Sequence, residues 1–177
     1  SHILNLSEYE PRSLDRSRSD RSSKVFLIDP AIPSSGIPDS ANSIPGSSVV
    51  TADMVIQTNP DIVSHLNGGP TAVPMEEVKK LVYETRFALE IVHCGNPLVT
   101  VEAGKMIVDA KALDRVIIGN DAPSGTGVVP LGVLRVINQL ASLTPIKPEE
   151  ALCMATGNTA RVHKLNRGII AEGREAD

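Results

Sequence analysis

At 177 residues the chain is long enough to bury a core as one domain, yet short of the roughly 250 residues typical of a complete (β/α)8 barrel. Its 41% hydrophobic content, 21% charged content and formal net charge of −4 are those of an ordinary soluble globular protein, and with 2% aromatics and no basic stripe they argue against a nucleic-acid partner. No apolar run reaches the ~18 residues of a membrane span and no signal peptide is visible, so the expected setting is cytoplasmic, with no membrane partner and reduced thiols.

Residues 1–43 form the first expected unit, an irregular extension rich in serine and proline with an Arg/Ser/Asp tract from Arg12 to Arg21. Such a segment buries too little apolar area to offset the entropy of ordering it. One run, Lys24-Val-Phe-Leu-Ile-Asp29, is apolar and bounded by Ser and Pro, and predicts a short strand.

From Ile44 to Asp177 the texture changes to apolar strands alternating with amphipathic helices, the signature of βα units around a parallel sheet. Ile62–His65 predicts a strand. Pro74 then starts a helix, with Glu76 and Glu77 favourable at its positive end and Met75, Val78, Leu81 and Val82 on its inner face. Ala88–Val92 is the next strand, followed by a helix carrying Ala103, Met106, Ile107, Ala110 and Leu113 on one side. Val116–Ile118 is a third strand, and Leu131, Leu134, Ile137, Leu140 and Ala141 mark the apolar face of a further helix. Pro148-Glu-Glu150 opens a last helix running through Ala155–Val162, and the tail from Gly168 reads as a turn. The expected fold is therefore α/β, the C-terminal part of a TIM barrel behind an irregular N-terminal extension.

Two strands end in groups able to bind a metal. The first closes on His65 and the third leads into Asp121, and both are followed by glycine-rich loops, Asn67-Gly68-Gly69-Pro70 and Pro123-Ser124-Gly125-Thr126-Gly127. In α/β barrels the chemistry sits at the C-terminal ends of the strands. A hydrolytic metal centre needs neutral imidazole nitrogens and carboxylate oxygens around an open position. The bland alternatives are a satisfied structural histidine and an aspartate that only forms a turn. The candidate substrate-binding positions are Asn67, Gly68, Gly69, His93, Ser124 and Gly125, where backbone N–H groups can be approached closely. Cys94 and Cys153 read as small buried hydrophobes. Cys94, following His93 near a strand end, carries a second reading as a nucleophile or ligand.

The runs Val63-Ser-His-Leu-Asn-Gly-Gly-Pro-Thr-Ala72, Cys94-Gly-Asn-Pro97, Gly119-Asn-Asp-Ala-Pro-Ser-Gly-Thr-Gly127, Pro130-Leu-Gly-Val-Leu-Arg135 and Cys153-Met-Ala-Thr-Gly-Asn158 resemble the C-terminal half of the amidohydrolase superfamily, most closely its enamidase branch. The resemblance implies metal-dependent hydrolysis of the C–N bond of a cyclic amide or enamide. It implies a divalent centre of zinc, iron or both, with His65 and Asp121 as ligands and Asp121 as the catalytic proton shuttle. It further implies a small cyclic amide as substrate and a homo-oligomeric assembly. The family's His-x-His pair and its further histidine have no counterpart here, and residues 1–43 match nothing in it, so the centre within this chain is incomplete. The competing expectation is a truncated, non-catalytic half-barrel that self-associates over the exposed edges and apolar surface.

Overall fold

The computed structural model describes residues 25–27, 51–68, 74–123 and 127–175, with the backbone course alone for 25–27. Apart from that short run, the expected N-terminal extension lies outside the described residues. Four parallel strands, β1 (Val25–Leu27), β2 (Ile62–Ser64), β3 (Ala88–Val92) and β4 (Val116–Gly119), form one sheet in chain order. The expected strand around residues 24–29 is thus present as β1, pairing Val25 with Ile62 and Leu27 with Ser64. β3 is matched to β4 from Leu89 opposite Val116 to Val92 opposite Gly119.

The strands are short β-branched runs because both faces are covered, as parallel sheets require. On one face Val63, Leu89, Ile91, Val116 and Ile118 pack beneath the helices in the main core. On the other, Ile62, Ala88 and Ile117 form a second cluster against Val162. The period-2 alternation continues upward along that second face, where the Ser64 hydroxyl donates to a carboxylate oxygen of Glu90.

Helix α1 (Ala52–Thr58) has no counterpart among the expected elements. Thr51 caps it, accepting from the Met54 N–H at 3.4 Å, and the Ala52 N–H donates to Glu77. α2 (Met75–Glu84) begins directly after Pro74, with Glu76 and Glu77 in its first turn and Val78, Leu81 and Val82 buried, as its pattern predicts. α3 (Pro97–Asp109) is fixed at its start by the Asn96 side chain, which accepts from the N–H of Leu98 at 2.9 Å and of Val99 at 3.3 Å. A single 3-10 turn (Leu113–Arg115) then leads into β4. Arg115 donates to the carbonyls of Phe87, at 2.7 Å, and Val82, and its burial lowers the guanidinium pKa from its usual value.

Two elements differ from expectation. In α4 (Gly132–Leu143) the buried positions are Gly132, Val136 and Leu140, with Val133, Ile137 and Ala141 packed beside them, whereas Leu131 and Leu134 are exposed. Leu131 is the residue before the helix and Leu134 lies on its outer side. The single last helix is three pieces, α5 (Pro148–Cys153), a π-helical turn (Met154–Asn158) and α6 (Thr159–Val162). The wide turn brings Asn158 under the sheet, where its amide donates to the carbonyls of Leu113 at 2.8 Å and Val116 at 2.9 Å. Cys153 is exposed at this turn and is not the buried hydrophobe expected. No strand follows among the described residues of the tail. No helix among the described residues is long and apolar enough to cross a membrane.

Candidate metal centre

Three successive strand ends each deliver one donor. β2 closes on His65, β3 is followed by Cys94 after one intervening residue, and β4 is followed by Asp121. His65 and Asp121 both adopt the left-handed backbone conformation, with φ of 64° and 52°. Residues other than glycine enter that region at a cost, and such residues cluster at functional sites.

His65 Nε2 lies 3.4 Å from Asp121 Oδ2 and 3.3 Å from Cys94 Sγ, and the Cys94 thiol donates to Asp121 Oδ2 at 2.9 Å. One donor atom from each of the three residues falls within 4.8 Å of the other two. The His65 side chain is buried, whereas that of Asp121 is 36% exposed, so the group is closed below and open to solvent at its carboxylate.

These residues fit a divalent cation of the zinc type. Zinc binds sulfur at about 2.3 Å and nitrogen or oxygen at about 2.0–2.2 Å, which in a tetrahedral arrangement sets donors roughly 3.3–3.6 Å apart. Both separations from His65 Nε2 already lie in that range. The sulfur–oxygen pair would open by roughly 0.6 Å, replacing a hydrogen bond with a shared ion. Nδ1 of His65 is buried and has no hydrogen-bond partner among the described residues. For Nε2 to offer its lone pair, Nδ1 must carry the proton.

Of the other expected positions, Asn67, Gly68 and His93 are among the described residues. Asn67 is fully buried and its amide holds the fold: Nδ2 donates to the Val92 carbonyl and to Thr100 Oγ1, both at 2.8 Å, while Oδ1 accepts from the Val92 N–H at 3.1 Å. The Gly68 N–H closes the turn onto the His65 carbonyl at 2.9 Å, and the Gly68 carbonyl accepts from Asn96 at 3.1 Å. The His93 ring packs beside Gly132 at the start of α4, where a Cβ would stand 2.9 Å from its Cγ. His93 is not one of the three clustered donors. Gly69, Ser124 and Gly125 lie outside the described residues. Cys94, expected first as a small buried hydrophobe and only second as a ligand, is the third member of the cluster. Its signal was positional: it follows β3 as His65 follows β2 and Asp121 follows β4, and a Gly-Asn-Pro turn comes directly after it.

No family model matches the chain. Enamidase of Eubacterium barkeri is 58% identical over 135 residues, 76% of this chain and 35% of that protein. The crystal structure of enamidase, described as a member of the amidohydrolase superfamily, matches over the same shares with a TM-score of 0.72. N-acetylglucosamine-6-phosphate deacetylase from Thermotoga maritima is similar in fold alone, with 15% identity and a TM-score of 0.52, over 88% of this chain and 53% of that one. The chain therefore spans about a third of the length of the enamidase it matches. That partial coverage agrees with the expectation that only the later part of such an enzyme is represented. Over the matched stretch the chain is similar in sequence and in fold to enamidase, itself a member of the amidohydrolase superfamily.

Proposed function

We propose, from this kinship with enamidase, that the chain forms the later strands of an amidohydrolase (β/α)8 barrel and takes part in metal-dependent hydrolysis of the C–N bond of a cyclic amide. The observation that carries this reading is the convergence of His65, Cys94 and Asp121 at the C-terminal ends of three adjacent parallel strands, where barrel enzymes hold their chemistry. His65 and Asp121 would hold the cation, zinc or iron. When bound, it would supply Lewis acidity toward the amide oxygen and lower the pKa of water at the site.

The chain's own residues then have separable tasks. Asp121, the most exposed of the three, is the acid/base: its carboxylate takes a proton from the water that attacks the amide carbon. As the C–N bond breaks, the same carboxyl returns that proton to the leaving nitrogen, so water and ring amide become a carboxylic acid and an amine. His65, buried beneath it, stays fixed through the cycle. Asn67 acts from behind as a positioning residue, tying the His65 turn to Val92 and Thr100. Gly68, Gly69, His93, Ser124 and Gly125 are the remaining candidates for lining the substrate pocket.

The test is hydrolysis of a ring amide by this chain mixed with the portion of enamidase that precedes the matched stretch. Metal-dependent turnover abolished by Asp121→Asn supports the reading; no turnover by a mixture that assembles and binds metal overturns it. A second reading, a non-catalytic half-barrel that self-associates, is favoured by exposed Leu98, Val128, Leu131 and Leu134. Sedimentation distinguishes it: tight, metal-independent self-association without turnover is its signature.

A further inference from the structure

We infer that Cys94 is a direct metal ligand, so that this chain carries a three-donor His–Cys–Asp cation site complete within its own residues. The inference rests on the metal-dependent reading above, but its evidence is separate. The Cys94 sulfur touches both other donors, 3.3 Å from His65 Nε2 and 2.9 Å from Asp121 Oδ2, closing a triangle whose third side is 3.4 Å. β3 runs between β2 and β4, so the turn after β3, which carries Cys94, is the one placed to close a site whose other members lie in the turns after its neighbours. His65 gives independent support. It is a buried imidazole whose Nδ1 lacks a partner among the described residues, while its Nε2 faces the sulfur and the carboxylate.

One imidazole, one thiolate and one carboxylate form a donor set suited to zinc. Three protein ligands with one open position is the arrangement of catalytic zinc sites. Solvent would reach a bound ion from the side of Asp121, the donor that is exposed. On binding, the thiol proton passes to solvent and the sulfur coordinates as thiolate. The site differs from one built of His65 and Asp121 alone in predicting soft-metal character: zinc, cobalt and cadmium bind in preference to magnesium or manganese.

Cobalt(II) titration of the full chain tests this by absorption spectroscopy. Thiolate ligation gives an intense near-ultraviolet charge-transfer band in addition to the visible bands of bound cobalt. The band is expected in the wild type and in Cys153→Ser, and lost in Cys94→Ser and Cys94→Ala; the chain has only these two cysteines. Circular dichroism of the two Cys94 variants establishes that loss of the band is not loss of fold. If instead both variants unfold, the Cys153→Ser spectrum decides, since a band that survives there can come only from Cys94. Cobalt bound without the band, and removed by His65→Ala or Asp121→Ala, overturns ligation by Cys94 and leaves the metal-dependent reading standing. No cobalt bound at all overturns both. A Cys94-dependent band with no ring-amide hydrolysis in the assembled mixture overturns the hydrolase reading and upholds the site.

Discussion

His65 Nε2 and Asp121 Oδ2 are 3.4 Å apart although β3 lies between the strands that carry them. Neighbouring strands are spaced about 4.8 Å apart, so the ends of β2 and β4 in a flat sheet would be roughly 9.6 Å apart. The two side chains meet where the turns after β2 and β4 place His65 and Asp121 in the left-handed backbone conformation, and Cys94, from the turn after β3, touches both. The site is therefore a product of the turns after the strands, and those turns are where the account is most exposed to test.

Asn67 holds the first of these turns. Asn67→Ala would remove three hydrogen bonds and leave the Val92 N–H without its side-chain partner in a buried place, while the Thr100 hydroxyl keeps its bond to the Asn96 carbonyl. The expected loss is about 3 kcal/mol of stability, read as a lower urea midpoint with an unchanged slope. An effect below about 0.5 kcal/mol would mean that water replaces the amide and the turn is not held as described.

Gly95 has the same partner from the other side. A Cβ there would stand 2.1 Å from Asn67 Nδ2, and Asn67 cannot move aside without giving up its bonds. Gly95→Ala should cost about 1–3 kcal/mol through overpacking and disturb the neighbouring Cys94. Combined with Asn67→Ala, the glycine substitution should cost much less than it does alone, because the clashing amide is gone. Additive losses in that double-mutant cycle would contradict the contact.

The burial of α4 separates leucines that look alike in the sequence. Leu140 is fully buried and Leu134 is 58% exposed. Leu140→Ala should cost about 2–5 kcal/mol, whereas Leu134→Ala should stay within about 0.5 kcal/mol. Thermal unfolding of the two variants checks the pair, and equal losses would mean that the helix face is assigned wrongly.

The π turn predicts a third kind of loss. Asn158→Ala would remove both donors that join the turn to the Leu113 and Val116 carbonyls beneath β4. Destabilisation by about 1–3 kcal/mol is expected, with hydrogen exchange rising first in 154–162. Exchange that rises evenly along the chain would place the role of Asn158 elsewhere.

Much of the fold was legible because local signals agreed with tertiary ones. β2, β3 and β4 are short apolar runs followed directly by His or Asn, and α2 and α3 start at or beside prolines with favourable first turns. The α4 face was not legible, because Leu131 and Leu134 are as apolar as the residues that are buried and only the neighbouring strands select among them. Nor was the π turn, whose cause is a pair of hydrogen bonds from Asn158 to residues more than forty positions away. At the site, His65 and Asp121 stood out through the glycine-rich loops behind them. Cys94 did not, since a lone reduced cysteine more often packs as a small hydrophobe. The burial of Asn67 was hidden for a related reason: an Asn-Gly pair reads as a loop, and nothing local shows that its amide reaches across to β3 and α3.

The most direct test of the central claim is the metal content of the purified chain, grown with zinc and iron supplied and measured by elemental analysis beside His65→Ala and Asp121→Ala. The account predicts about one divalent ion per chain in the wild type and loss of that ion in each variant. A wild-type chain that holds no metal, or variants that hold as much as the wild type, would contradict it.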